Sequence, residues 1–395
     1  MKEFLKKHKT IIILFIFSFI IRLIYILIAK TPIESDFKMM YNASLELING
    51  TSEYKGMSYF INWGYQMGHV IYQAILLFFI KNPFFLKFMN CIITSTTVVF
   101  IYLISKINSS KKSSIIISII YSLFPFPLFL NSVLSNQQMP LLLILIALYI
   151  FLKDNYNYKK SIIIGLLLGI SNILRSETIV IIFSIFIFSL FQIKKLPLKK
   201  IIISFSIILI MYLSIFKGCS YALKISGISP NGLNNTNPYW KFVLGFNYET
   251  QGMYSTKDAE IYSGDPIKSK EETINRIKDY KKIPVHFIKK TKILWFNSDL
   301  SWSIGYIENT TLYKLFNTIN QIFIIIFLLL SMISLKNLLK FNKVYLLCFI
   351  ILFVYGGVYL LIEIMPRYAY NLQAFEAIIS TFGLDYIIKK IKLNH

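Results

Sequence analysis

Cysteine is scarce in this chain: three in 395 residues, at Cys91, Cys219 and Cys348. They are scattered, and two fall inside apolar runs. None has a partner at disulfide or metal-ligand spacing, which excludes a disulfide framework and a cysteine metal centre. Acids are also few, 19 against 42 Lys and Arg, for a formal net charge of +23. Such an excess first suggests a nucleic-acid surface. The lysines, however, cluster between apolar runs, as in the cytoplasmic loops of a membrane protein, so no nucleic-acid partner is expected. No internal repeat or low-complexity tract is visible beyond a general richness in Ile, Lys and Asn. No small-residue cleavage site follows the apolar stretch ending near residue 30, so that stretch reads as a retained anchor.

Long apolar runs are what the chain has in quantity. It is 55% hydrophobic, with a mean hydropathy of +0.59. Runs of this length in a soluble domain would have no purpose. In a bilayer each must be helical, because hydrocarbon offers backbone groups no water to bond. The class is an all-α polytopic membrane protein. About ten spans are expected, near 11–29, 84–105, 113–130, 138–152, 161–174, 177–193, 201–217, 314–334, 344–362 and 369–387. With the N-terminus inside, the basic clusters Lys106, Lys111 and Lys112, Lys194 to Lys200, Lys336 to Lys343 and Lys389 to Lys392 all face the cytoplasm. Both termini then lie inside, in the plasma membrane.

That topology leaves two segments outside. The first, 30–83, holds two half-apolar stretches, 37–49 and 65–80, which read as helices lying along the bilayer surface or re-entering it. The second, 218–313, is long enough to carry function or form a unit of its own. The chain thus divides into an N-terminal membrane module (1–217), a large extracytoplasmic loop (218–313) and C-terminal transmembrane helices (314–395).

Several residues could carry chemistry. Asp36, just past the first span, either caps the helix beginning near Phe37 or serves as a general base where bilayer meets water, and both roles can hold together. Glu34 lies two residues away, available to substrate or simply solvated. Arg175 and Glu177 sit at the outer turn after the fifth span. They form either an ion pair that fixes the turn or a site where Arg175 binds a phosphate or sugar group. In Glu363-Ile364-Met365-Pro366-Arg367-Tyr368, Arg367 offers a planar fork for phosphate oxygens and Tyr368 a ring or hydroxyl for a sugar; the bland reading is an interfacial anchor. The run Lys281, Lys282, Lys289, Lys290 and Lys292 suits a helix pressed on anionic lipid, or one attracting a polyprenyl phosphate. Arg22, inside the first span, reads as structural, and His69 as a packing residue.

These motifs together resemble the GT-C fold glycosyltransferases, most closely the bacterial branch related to protein O-mannosyltransferases and the aminoarabinose transferases of lipid A. The resemblance rests on Arg22 in span one, then Ser35-Asp36-Phe37 leading to Tyr41 and Gly50. It continues through Gly165 to Arg175, Gly245-Phe246-Asn247 with Gly252, Tyr254 and Asp258, and Pro366-Arg367-Tyr368. It implies a GT-C-like bundle with interfacial helices in the first outer loop and a large outer loop before the last three spans. It also implies transfer from a polyprenyl-phosphate sugar to an envelope glycan, lipid or protein, with inversion. Asp36 would be the base, and Arg367, with Arg175, would hold the leaving phosphate. Where relatives often carry an acid, this chain has Asn136-Gln137-Gln138, amides that bind a divalent cation poorly, so no metal cofactor is expected. A lipid-linked oligosaccharide flippase would show polar residues deep in several spans and internal pseudo-symmetry, neither prominent here. A surface-polysaccharide polymerase or ligase would depend more on loop arginines or a histidine.

Overall fold

The computed structural model describes residues 2–154, 156–193, 195–297, 300–335 and 342–393. Lys194, Lys336 and Lys340 of the basic clusters lie outside the described residues. The described chain is helical throughout. Its first half runs α1 (Lys2–Ile28), α2 (Ser35–Asn49), α3 (Ser58–Asn62), α4 (Met67–Phe79), α5 (Pro83–Ser105), α6 (Lys111–Leu123) and α7 (Pro125–Phe129). Then come α8 (Gln138–Lys153), α9 (Tyr158–Leu174), α10 (Ile179–Leu190) and α11 (Leu198–Ile225). The long loop contains α12 (Trp240–Gly245), α13 (Thr256–Tyr262), α14 (Pro266–Lys278), α15 (Ile283–Phe296) and α16 (Ser301–Ile304). The chain finishes with α17 (Thr311–Ile333), α18 (Lys343–Leu361) and α19 (Ala369–Leu393).

A helix covers each of the ten apolar runs. Among the described residues five helices are long and apolar enough to cross a bilayer by themselves: α1 from His8, α5, α11, α17 and α18. A sixth candidate is broken, since α6 and the segment Pro125–Ser132 meet at 59°. The cause is local. Pro125 has no N–H for the ladder of α6, and it holds Phe124 in an extended conformation at φ −64°, ψ 118°. The α8 and α10 helices are shorter apolar helices.

Peripheral and central helices differ in composition because they meet different solvents. Along α1, Ile13, Ile16, Ile20, Ile24 and Leu27 are exposed, and along α17, Leu315, Ile322, Ile325 and Leu329. These apolar faces suit lipid. Within α19, by contrast, Asn371, Gln373, Glu376, Ser380, Thr381 and Asp385 are all buried. It packs against α6, α17 and α18, and such residues are tolerated at membrane depth when they face the bundle interior. Small residues bring other helices together. A Cβ added at Gly165 would lie 2.6 Å from Ile208 O, so α9 rests directly on the backbone of α11. Arg22 is fully buried and donates to Ser18 O at 3.2 Å and Ser122 O at 3.4 Å, tying α1 to α6.

The two outer segments are knitted to each other and to the bundle. The α2 helix buries Phe37, Met40, Ala43 and Ser44, and Ser44 Oγ donates to Val70 O of α4 at 2.9 Å. Gly50, at φ +75°, ends α2 in the left-handed conformation that favours glycine. From the long loop, Thr236 N donates to Asn62 O, Glu363 N to Lys241 O and Ile364 N to Gly252 O. The Gly245–Asp258 element is a scaffold: Asn247 Nδ2 donates to Asp258 Oδ2 at 2.7 Å, and Arg276 donates to both oxygens of Asp258.

Candidate functional site

Where these segments converge they enclose a cavity of about 710 Å³. It is lined from the first outer segment by Asp36, Phe37, Tyr59, Trp63, Tyr65 and Gln66, and from the turns at 135–136 and 175–177 by Asn136, Arg175 and Glu177. The long loop adds Trp240, Lys241, Tyr254 and Trp302, and the end of α18 with the turn beyond it adds Tyr359, Glu363, Arg367 and Tyr368. The volume falls in the range usual for small-molecule sites, and the lining combines aromatic rings with a few polar groups as such sites do.

Three acids and three cations line this space, and four of the six neutralise one another. Arg175 Nη2 pairs with Glu177 Oε1, and Lys241 Nζ with Glu363 Oε2. For Arg175, burial opposes the charge and Glu177 more than offsets it, so the guanidinium is held above its ordinary range. The Lys241 ammonium is raised in the same way, burial opposing and Glu363 prevailing. Both sequence readings of Arg175 hold at once, since it forms the ion pair with Glu177 and also lines the cavity.

Asp36 and Arg367 are the remaining two. Glu34 is extended at φ −141°, Ser35 has φ +51°, and Asp36 follows in the first turn of α2. Asp36 makes no cap: its carboxylate forms no hydrogen bond or ion pair among the described residues. Arg367 sits in the short turn between α18 and α19. Its guanidinium carbon lies 4.6 Å from the Trp302 ring centre and 5.4 Å from that of Phe37, and Nη1 is buried without a partner. Aromatic faces attract a cation but do not neutralise it. Tyr59, which feels the charges of both, is also buried, and its hydroxyl has no partner among the described residues. Burial, then the charge of Asp36, raises that hydroxyl well above its ordinary value, while Arg367 acts in the opposite direction.

The amides at 136–138 have positions to hold. Asn136 Oδ1 accepts from Arg175 Nη1 at 2.6 Å, and its Nδ2 donates to Gln66 Oε1 at 3.1 Å. Gln137 Nε2 donates to Arg367 O at 2.7 Å, fixing the arginine turn. Tyr368 donates to Glu363 Oε2 at 3.1 Å, and burial, then Glu363, pushes its hydroxyl up to about 12. Among the described residues no group of three or more His, Cys, Asp and Glu lies together as a metal centre would require.

Two residues expected at the site are elsewhere. Glu34 is exposed and does not line the cavity. Lys290 is 1% exposed and turned inward, its Nζ donating to Gly245 O at 2.9 Å, Leu360 O at 2.8 Å and Ile362 O at 2.7 Å. An ammonium has three donors, and all three here close the joint between α12 and the end of α18. The lysine run of α15 did not reveal this, because the exposed Lys289 and the buried Lys290 differ only in helix face. Lys241, Tyr59 and Tyr359 were missed. Nothing local distinguishes them from the many other lysines and tyrosines of the chain.

No protein-family model matches the chain, and no curated protein matches it. Solved structures do. One is the archaeal oligosaccharyltransferase AglB from Archaeoglobus fulgidus in complex with an inhibitory peptide and a dolichol-phosphate, at 13% identity and a TM-score of 0.56. Another is the Archaeoglobus fulgidus oligosaccharyltransferase tethered by a disulfide bond to an acceptor peptide containing the NVT sequon, at 14% identity and a TM-score of 0.58. Each match covers 99% of this chain and 51% of the other, so the chain spans about half the length of these structures. At these identities the likeness is one of fold: over nearly its whole length the chain is similar to the GT-C architecture of the archaeal oligosaccharyltransferases.

Proposed function

We propose that this protein transfers a sugar from a polyprenyl-phosphate-linked donor to an envelope glycan, lipid or protein on the outer face of the plasma membrane, with inversion. The observation that carries the reading is the charge arrangement of the cavity. Four of its charged groups are engaged in two ion pairs, which leaves one carboxylate, Asp36, and one guanidinium, Arg367, free to act on substrate. Asp36 takes the proton from the acceptor hydroxyl as its oxygen attacks the anomeric carbon. The bond from that carbon to the phosphate oxygen breaks on the opposite side, and the phosphate leaves with the electron pair. Arg367 and the Tyr59 hydroxyl stabilise the charge developing on it. The fold shared with AglB, captured in one structure with a dolichol-phosphate, supports a lipid-linked donor entering from the bilayer. The remaining helices over the apolar runs complete ten spans, and both termini are cytoplasmic.

The test is Asp36→Asn in the purified full chain. Transfer should fall by roughly a hundred- to ten-thousand-fold, with polyprenyl phosphate binding retained. Undiminished transfer would overturn the reading of Asp36 as the base. Mass analysis of envelope glycans and lipid-linked sugars in cells lacking the protein would then identify the missing product and the accumulated donor.

A further inference from the structure

The cavity has two chemically different ends. At one, Arg367 has no counter-ion and Asp36 no partner among the described residues. At the other, every charge is already answered. Glu177 Oε1 is paired with Arg175, and its Oε2 accepts from Asn371 Nδ2 at 3.2 Å. Asn136 takes up a second nitrogen of the guanidinium. Two buried donors at this end still lack partners: Arg175 Nε and the Tyr359 hydroxyl. Two rings frame them, since Tyr359 stacks on Tyr368 at 5.6 Å and the Arg175 guanidinium lies 5.3 Å over the Tyr368 ring.

A phosphate brought to this end would find Arg175 and Lys241 already engaged by Glu177 and Glu363, and a buried charge with no free counter-ion is costly. An uncharged polyol carries no such cost. Its hydroxyl oxygens accept from Arg175 Nε and Tyr359, its hydroxyl protons find carboxylate and amide oxygens, and its C–H faces lie against tyrosine rings. We infer that the Arg175–Tyr359 end of the cavity binds the hydroxyls of an uncharged glycosyl group, and that Arg175 is a specificity residue outside the phosphate clamp. This rests on the transferase reading above.

Tyr359→Phe tests the inference cleanly, because the hydroxyl it removes bonds to nothing in the protein. The full chain in lipid nanodiscs is titrated with a long-chain polyprenyl phosphate carrying no sugar, and with polyprenyl-phosphate hexoses. Tyr359→Phe should weaken the best hexose-bearing probe by roughly three- to tenfold and leave the sugar-free probe unchanged. Arg367→Gln should weaken both. Equal weakening of both probes by Tyr359→Phe, weakening of neither, or equal wild-type affinity for the two overturns the inference and leaves the transferase reading standing. A wild-type chain that binds neither probe removes both.

Discussion

Arg367 in the cavity and Lys290 outside it are distinguished by what each cation faces. Arg367 faces two aromatic rings and open cavity, so its charge is available to a substrate. Lys290 faces three carbonyls and, among the described residues, no carboxylate within ion-pair distance. Burial pushes its ammonium down to about 7, with Glu363 acting in the opposite direction. The sign of the consequence follows directly. Between about pH 7 and the unfolded value of 10.5, the unfolded chain holds a proton that the folded chain has lost. Stability contributed by this residue therefore rises with pH across that window. Thermal unfolding of wild type and Lys290→Met, run in parallel from neutral to alkaline pH, should show the difference shifting toward the wild type as pH rises. A difference that stays flat would mean the ammonium remains charged on its three carbonyls.

Among the elements, close approach decides which helices meet. The α9 helix lies against α11 only because Gly165 and Gly169 present no side chain: a Cβ at Gly169 would come within 2.9 Å of Ile215 Cβ. Gly165→Ala pushes a methyl against Ile208 O and Met211 Cβ, both at 2.6 Å, and backbone cannot rotate aside as a side chain can. The cost should be about 1–3 kcal/mol, read as a lowered thermal midpoint in detergent. Because the outer end of α9 leads into Arg175, the variant should also weaken binding of the hexose-bearing probe more than that of the sugar-free one. The break between α6 and α7 serves the opposite purpose. It redirects the chain so that Phe126 N reaches Asn320 Oδ1 at 2.9 Å, joining this bend to α17.

For the molecule as a whole, the proposed orientation rests on the separation of exposed apolar faces from basic loops. Segments 30–83 and 218–313 carry the cavity, and in the proposed orientation they face outward. With Cys91, Cys219 and Cys348 replaced, a cysteine at the exposed Ile267 should react with a membrane-impermeant maleimide in intact cells. A cysteine at the exposed Lys112 should react only after permeabilisation. The reverse pattern would turn the cavity to the cytoplasm and remove the proposed outer-face reaction.

Much of the helical order could be read from the chain by itself. Each apolar run became a helix, and the segments 37–49 and 65–80 became α2 and α4, because transfer of apolar side chains out of water and intrahelical hydrogen bonding are local properties of a run. Asp36, Arg367, Arg175 and Tyr368 stood out because charge or a hydrogen-bonding ring at the end of a span is costly enough to need a reason. Sequence could not tell which charges would cancel. Lys241 meets Glu363 across 122 residues, and Tyr59 comes under the charges of both Asp36 and Arg367 only once α3 has joined the long loop through Asn62 and Thr236. Nor could composition identify α19 as central: 369–387 reads as one span among ten, and its polar residues prove buried only once the surrounding helices are in place. Pairing depends on which atoms lie within a few ångströms after folding, and only the tertiary structure determines that.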